Sequence, residues 1–476
     1  MNWKKLFDRY IATIVFVFWA IGCFCFFQFW YPYHFFFQEQ NLLFLWSEDY
    51  ISTYFENPGG LAGLAGDFLT QFYYYLYLGA TILTLCLLLT GCLCYKALRN
   101  LHTPKVVALV PSIAIISFLA VCHFNTSYRL SATLSVSGWA MLLWLLTCIP
   151  RRKLSAICFV IAVCPWYLLF GSPQIKKIQT PDFILEKDFA VDCEYYFGNH
   201  DKVLQIVETS EGKTDQMLFF YNLVQAHRGM LPDHLLKFTQ TVLGTFYKIG
   251  PDTPMLTIRN MNELYWLLGD MTFTERAAMM TNVFSLNNRN VRMIRRLAEC
   301  NYVSGDSLAA EKYLRILDKT LLYKEWAKKV RTHGNDIYHT KIQMVNPHDT
   351  ITISDNAHFL MMQLLDHNPE NTIALDYILC SNLLLKDMEN FKRDYDRYCM
   401  DPNHPSITMR CKGKTLYQEA LCIWLAGTNA PQEEWERYLL NADVLKQFKD
   451  YNAQRGHPRF KGTYWYYFDK IKAPKV

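Results

Sequence analysis

Charge is scarce in the first third of this 476-residue chain. Residues 1–171 hold 10 Lys or Arg and 6 Asp or Glu, whereas residues 172–476 hold 38 and 37. The first part is charged at about 9% of its positions, and the second at the roughly 25% of an ordinary soluble domain. A single water-soluble fold is thereby excluded for the whole chain. Glycine (21) and proline (18) are too few for a collagen or a low-complexity polymer, and the length excludes a small disulfide scaffold. A net charge of +5 is small and concentrates beside the apolar runs, so no nucleic acid partner is expected. Residues 172–476 also lack a glycine-rich phosphate loop ending in Lys-Ser/Thr, a His-Glu-x-x-His and a Gly-x-Ser-x-Gly. No cofactor and no metal site is expected.

What the first part has is hydrophobic length. A bilayer span takes about 20 mostly apolar residues. Five stretches meet or approach this: Tyr10–Phe37, Phe68–Tyr95, Val106–Phe124, Leu130–Ile149 and Leu154–Gly171, the last carrying Pro165. Short-loop cations set orientation. Lys4, Lys5, Arg9, Lys96, Arg99, Lys105, Arg151, Arg152 and Lys153 fall on one side, against Arg129 alone on the other. This predicts a cytoplasmic N-terminus and, with five spans, a periplasmic C-terminal region in a bacterial inner membrane. Ala20-Ile21-Gly22-Cys23 has the look of a lipoprotein cleavage box, but Phe24 to Phe37 continues apolar, which reads as a retained span. His34 and His123, near span ends, read as solvated interface residues, which speaks against an ion-coupled transporter. Nine of the 15 cysteines lie in or beside the spans and read as small apolar fillers. Of the other six, Cys399 and Cys411 flank a Pro-containing loop and are a plausible disulfide pair.

The loop at residues 38–67 holds Glu39, Glu48, Asp49, Glu56 and Asp67 and no basic residue. Asn41 to Tyr54 mixes apolar and polar residues as a helix lying on a membrane surface would. Asn57-Pro58-Gly59-Gly60 is a turn signal, and Leu61-Ala62-Gly63-Leu64-Ala65-Gly66 has the small residues of close helix contact. Asp67 is placed to cap the second span. The carboxylates suit an outer loop without further role. The pair Glu48-Asp49 followed by a surface helix also resembles the first external loop of GT-C glycosyltransferases, enzymes that take sugar from a polyprenyl-phosphate lipid. The resemblance implies Glu48 or Asp49 as catalytic base or metal ligand. It departs in span count, since those enzymes carry more spans.

From Gln174 onward apolar residues recur at three and four positions, the helical period. Four helix–turn–helix units centre on Gly198, Gly229, Gly269 and Gly305, spaced by 31, 40 and 36 residues, close to the 34 of tetratricopeptide repeats. Two further units, Ala374 to Phe391 and Tyr417 to Leu440, lack the glycine. The fold class expected is all-α: a five-helix transmembrane bundle over 1–171, then a tetratricopeptide-like α-solenoid with subdomains at 172–345 and 346–476. Lys341–Ser354 reads as the break between them and Met400–Lys412 as a long loop. The aromatic and basic strip Arg459 to Phe468 reads either as a binding strip or membrane return, or as a last helix packed on the solenoid.

Three blocks carry a wider resemblance: Ser47-Glu48-Asp49-Tyr50 through Pro58-Gly59-Gly60-Leu61 to Phe68-Leu69-Thr70-Gln71-Phe72; Arg296-Leu297-Ala298-Glu299 through Ala310-Glu311-Lys312-Tyr313-Leu314 to Glu325-Trp326-Ala327; and Tyr417-Gln418-Glu419-Ala420-Leu421. The layout is similar to a family of Bacteroidetes membrane proteins defined by a domain of unknown function, with N-terminal spans and a tetratricopeptide-like periplasmic region. The expected partners are membrane lipid, a periplasmic or membrane protein on the solenoid and, on the enzyme reading, a polyprenyl-phosphate lipid. The leading expectation is a non-enzymatic docking module in envelope biogenesis; the alternative is a lipid-linked sugar transferase or binding protein.

Overall fold

The structure, a computed structural model, describes residues 3–56, 59–149, 180–240, 253–285, 289–345 and 356–473. Among these the chain forms 25 α-helices, a few short tighter or wider turns, and no strand. Its contacts define two compact units. One comprises Met1–Phe189 with Ser285–Arg292 and Arg315–Lys328; the other comprises Ala190–Phe284, Met293–Leu314 and Lys329–Val476.

In the first unit the helices are α1 (Trp3–Phe29), α2 (Tyr33–Gln40), α3 (Glu48–Phe55), α4 (Gly60–Thr70), α5 (Leu76–Asn100), α6 (Lys105–Cys122) and α7 (Leu130–Thr147). Four helical stretches are long and apolar enough to cross a membrane: Tyr10–Phe29, Leu76–Asn100, Lys105–Cys122 and Leu130–Thr147. The fifth expected span, Leu154–Gly171, lies outside the described residues. Two expected boundaries move. The first apolar run stops at Phe29 because Pro32 has no N–H to donate and disfavours helix at the residue before it. Phe68 belongs to α4, a tight turn covers Gln71–Tyr74, and α5 starts only after Tyr75, whose ψ of 112° is extended.

Helix α5 is the hub, packing on α1, α6 and α7. Glycine allows the closest approaches: a Cβ on Gly79 would lie 2.6 Å from the Phe35 ring, and one on Gly91 would lie 2.8 Å from Phe16. Hydroxyl bonds link the helices, Trp19 Nε1 to Ser117 Oγ at 2.9 Å and Thr90 Oγ1 to Ser137 Oγ at 2.6 Å. At one end Lys96 lies over the Trp144 ring and Asn100 donates to Thr147 Oγ1 at 3.2 Å. At the other, Gln38 donates to the carbonyls of Thr126 and Tyr128, each at 3.3 Å. Helix α4 lies against α7 at Gly66, where a Cβ would fall 2.6 Å from Ser131 Cα.

The second unit is built of helical hairpins. Its helices are α8 (Phe183–Tyr196, which starts in the first unit), α9 (His200–Thr209), α10 (Asp215–His227), α11 (Leu231–His234), α12 (Met255–Leu268), α13 (Met271–Phe284), α14 (Val291–Val303), α15 (Ser307–Asp318), α16 (Lys324–Ile337), α17 (His339–Met344), α18 (Ala357–His367), α19 (Thr372–Leu384), α20 (Met388–Asp394), α21 (Pro405–Lys412), α22 (Thr415–Gly427), α23 (Gln432–Arg437), α24 (Ala442–Ala453) and α25 (Tyr464–Lys470). The four marker glycines all take positive φ, from 67° to 83°. At three of them the next N–H bonds back five residues: Asn199 to Glu194 O, Met230 to Gln225 O and Asp270 to Tyr265 O, each at 2.8–2.9 Å. The glycine-free units use the same turn. Lys386 (φ 57°) and Asn429 (φ 50°) hold the left-handed position, and Asp387 N and Ala430 N bond back to Asn382 O and Leu425 O at 2.9 Å. After the turn an aspartate caps the next helix in three units: Asp270, Asp306 and Asp387 accept from the N–H three residues on at 2.9, 2.9 and 3.0 Å.

Helix α19 is the centre of this unit, with ten of its residues buried against α10, α11, α12, α18 and α20. The expected long loop at Met400–Lys412 is half helix, because Pro405 sits in the first turn of α21, where its missing N–H costs nothing. Cys399 and Cys411 form a disulfide with Cα atoms 5.9 Å apart. The C-terminal aromatic strip ends in α25, which buries Tyr464, Trp465 and Tyr467. The break expected at Lys341–Ser354 falls largely outside the described residues.

Candidate functional site

The loop after the first apolar helix carries buried polar groups of the first unit, among them His34, Glu39, Gln40 and Asp67. Glu48 and Asp49, the two carboxylates singled out by sequence, sit exposed in the first turn of α3, where acids complement the helix dipole. The expected surface helix over Asn41–Tyr54 is half extended, with α3 beginning only at Glu48. The carboxylates built into the structure are instead Glu39, Asp67 and, from far along the chain, Glu186.

Glu39 is fully buried at the end of α2. Tyr323, from the segment Arg315–Lys328, donates to its Oε1 at 3.0 Å, and Gln40 donates both to Glu39 and to the Tyr323 hydroxyl, the latter at 2.9 Å. Burial pushes the Glu39 pKa up to about 8, although the hydrogen bonds from Gln40 and Tyr323 and the charge of Arg292 pull the other way.

Asp67, expected to cap the second span, lies buried inside α4. Its Oδ2 accepts from the Tyr54 hydroxyl at 2.7 Å, and Tyr54 bonds the Tyr50 hydroxyl at 2.9 Å. Tyr50 and Tyr54 are four apart on α3 and share its inner side. Arg289, from the segment Ser285–Arg292, donates to Tyr50 at 3.3 Å and lies 4.5 Å from the centre of its ring. On the other flank Arg129, the residue before α7, brings Nη1 within 3.8 Å of Asp67 Oδ1. A chain of polar contacts thus runs from Arg289 through Tyr50, whose hydroxyl also donates to the Leu43 carbonyl at 2.9 Å, and Tyr54 to Asp67.

Glu186 caps α2. Its Oε1 and Oε2 accept the backbone N–H groups of Tyr33 (2.5 Å) and His34 (3.2 Å), at a helix start where Pro32 offers no side-chain cap. Burial pushes its pKa up to about 8. His34 and His123 are not solvated residues, as sequence position suggested; both are fully buried. His34 sits among Phe27, Tyr31 and Phe35, with ring centroids 5.8, 4.6 and 4.0 Å away, and His123 Nε2 lies 2.8 Å from Thr133 Oγ1. Among the described residues no group of three His, Cys, Asp or Glu is placed to hold a metal.

The second unit carries a groove of about 430 Å³, within the roughly 300–1,000 Å³ of ligand sites. Helices α22, α24 and α25 line it with Trp424, Phe448, Tyr451, Trp465 and Phe468. Arg455 makes two bonds to the Asp469 carboxylate at 2.6 and 2.7 Å on its rim, and the guanidinium holds that carboxyl below its usual range. Trp465 and Phe468 belong to the C-terminal strip noticed in the sequence. Trp424, Phe448 and Tyr451 carried no signal, because their convergence depends on how α22, α24 and α25 pack.

The fold and these two sites define a class: an all-α protein with, among the described residues, four helices long and apolar enough to cross a membrane, and a region of helical hairpins. The chain belongs to a family described as a family of unknown function (DUF6057), which it matches over residues 9–176 and 173–471. No curated protein and no solved structure matches it.

Proposed function

We propose that the protein is a multi-pass protein of a bacterial inner membrane that holds a tetratricopeptide-like helical region in the periplasm as a docking module for a protein partner in envelope biogenesis. The aromatic groove at α22, α24 and α25 carries this reading. Tryptophan, tyrosine and arginine dominate binding hot spots, and the groove supplies the half-buried Trp424 beside Arg455, over a floor that includes the buried Tyr451 and Trp465. Its apolar floor and charged rim suit a peptide segment that inserts an aromatic or aliphatic side chain. The periplasmic placement is supported by the excess of Lys and Arg in the N-terminal segment and in the loops at 96–105 and 151–153 over the loops at 38–67 and 125–129.

The test is native mass spectrometry of the protein extracted from its own membrane. A stoichiometric partner is expected with the wild type and the Asp49→Ala variant, and its loss is expected with Trp424→Ala plus Phe468→Ala. Retention of the partner by the groove variant would sink the docking role of this groove. A second reading, a GT-C-like transferase or lipid-linked-sugar binder working through Glu48 or Asp49, is supported by the solvent access of both carboxylates at the head of α3. It expects a bound polyprenyl-phosphate species that the Glu48→Ala, Asp49→Ala double variant loses.

A further inference from the structure

The outer loops of the membrane unit hold a single basic residue by sequence, Arg129, yet the fold adds a second by bringing in Arg289. Among the described residues, Arg289 makes one hydrogen bond, to the Tyr50 hydroxyl at 3.3 Å, and Arg129 has Asp67 as its nearest acid at 3.8 Å, beyond hydrogen-bond range. Arg129 therefore approaches Asp67 directly, while Arg289 is joined to it through Tyr50 and Tyr54, which donates to Asp67 at 2.7 Å. Guanidinium groups present planar forks that match phosphate oxygens. Arg129 immediately precedes the apolar helix Leu130–Thr147, so it lies at headgroup depth when that helix spans a bilayer. The loop that holds the site also presents Trp46, Phe55 and Leu61, exposed by 51, 58 and 72%, as apolar contacts for acyl chains. Glu48, Asp49 and Glu56 are exposed to solvent, where salt screens them over about 8 Å.

We propose that Arg129 and Arg289, held by Tyr50, Tyr54 and Asp67, bind the phosphate of an anionic lipid in the leaflet at the N-terminal end of α7. The proposal goes beyond the docking role and is independent of the groove. Tyr50 fixes the Arg289 guanidinium by stacking, Tyr54 ties Tyr50 to Asp67, and Asp67 keeps Arg129 turned toward the same patch. The lipid phosphate would complete the hydrogen bonding of both cations.

The test uses the full-length protein in nanodiscs of mixed phosphatidylcholine and phosphatidylglycerol, read by native mass spectrometry. Wild type is expected to retain phosphatidylglycerol preferentially. Arg129→Gln plus Arg289→Gln is expected to lose that preference by about tenfold or more, the equivalent of one charge-assisted hydrogen bond, with each single variant intermediate. An absence of preference in the wild type overturns the proposal without recourse to any variant. So does equal retention by a double variant whose melting temperature is unchanged. Millimolar inorganic phosphate is expected to displace little lipid; full displacement would overturn the lipid assignment in favour of a soluble anion.

Discussion

Tyr323 donates its hydroxyl to the buried carboxyl of Glu39, a residue 284 positions earlier in the chain. The bond fastens the segment Arg315–Lys328 to the end of α2, which packs on α5. Two further bonds fasten the same layer: Trp46 N–H to Lys319 O at 2.6 Å and Asn290 Nδ2 to Asn41 Oδ1 at 2.8 Å. The polar loop of the first unit therefore acquires its structure from sequence that lies far downstream.

The first prediction concerns pH. Glu39 and Glu186 have folded pKa values pushed up to about 8 from an ordinary 4.5. Between these values the folded state binds protons that the unfolded chain has released, so folding loses free energy as pH rises. The contribution is complete below about pH 4.5 and gone once pH passes about 8. The melting temperature of the wild type, measured relative to Glu39→Gln plus Glu186→Gln, should fall as pH rises between about pH 5 and 8. A difference that rises over this range would contradict the burial of both carboxyls. Tyr323→Phe, which leaves buried polar atoms of Glu39 and Gln40 short of a partner, should cost about 1–3 kcal/mol at any pH.

A second prediction separates two non-glycine residues in left-handed backbone. Leu439 has φ 48° with its side chain 71% exposed, so Leu439→Gly should relieve the strain and stabilise by about 0.5–1 kcal/mol. Lys386 has φ 57°, but its Nζ donates to Phe468 O at 2.7 Å and Ile471 O at 2.5 Å, tying α20 to the end of α25. Lys386→Gly gains the same backbone relief and loses two charge-assisted bonds of about 1.5 kcal/mol or more each. It should destabilise. Thermal melts of the two variants should move in opposite directions; a stabilised Lys386→Gly would show that those bonds contribute nothing.

These residues also mark where the sequence was readable. The helical class, the apolar runs and the glycine turns announce themselves, because each follows from a local preference: length of apolar run, helical period, freedom at positive φ. Lys386 and Asn429 make the same turn as Gly269 without any local mark, since tertiary bonds hold Lys386 there. The apolar runs Tyr10–Phe37 and Phe68–Tyr95 run past helix boundaries because Phe, Tyr and Trp near residues 30–37 and 68–75 count as apolar by composition, yet they pack in short helices and turns outside the long ones. The site was legible only as an acidic loop. Glu48 and Asp49 stood out by adjacency, while Glu39 and Asp67 acquire their surroundings from Tyr323, Arg289 and Arg129, which no local pattern pairs with them.

The disulfide yields a third prediction that also bears on compartment. Cys399 and Cys411 are 12 residues apart, and closing a loop of that order is worth about 3 kcal/mol through the unfolded chain. Cys411→Ser should lower stability by about 2–3 kcal/mol. Protein alkylated without reduction, straight from its membrane, should carry two fewer adducts than protein reduced first, because oxidising compartments preserve such bonds. Equal adduct numbers would argue against a periplasmic second unit.

The last prediction compares two glycines of the membrane unit. Gly66 of α4 faces Ser131 of α7, and a Cβ there would lie 2.6 Å from the Ser131 Cα and backbone N. These are backbone atoms that no side-chain rotation can clear. Gly66→Ala must push α4 off α7, at the roughly 1–3 kcal/mol of an overpacked contact. Asp67 follows directly in α4, so the same shift would stretch its contacts with Tyr54 and Arg129 and weaken any anion held there. Gly138, within α7, has nothing within 4 Å of its would-be Cβ. Gly138→Ala adds a methyl group into open space and should stabilise the helix by roughly 0.5–1 kcal/mol or leave it unchanged. Melting temperatures in the same detergent should therefore separate the two variants. If Gly66→Ala melts with the wild type, the close approach of α4 to α7 is wrong, and with it the placement of Asp67 beside Arg129.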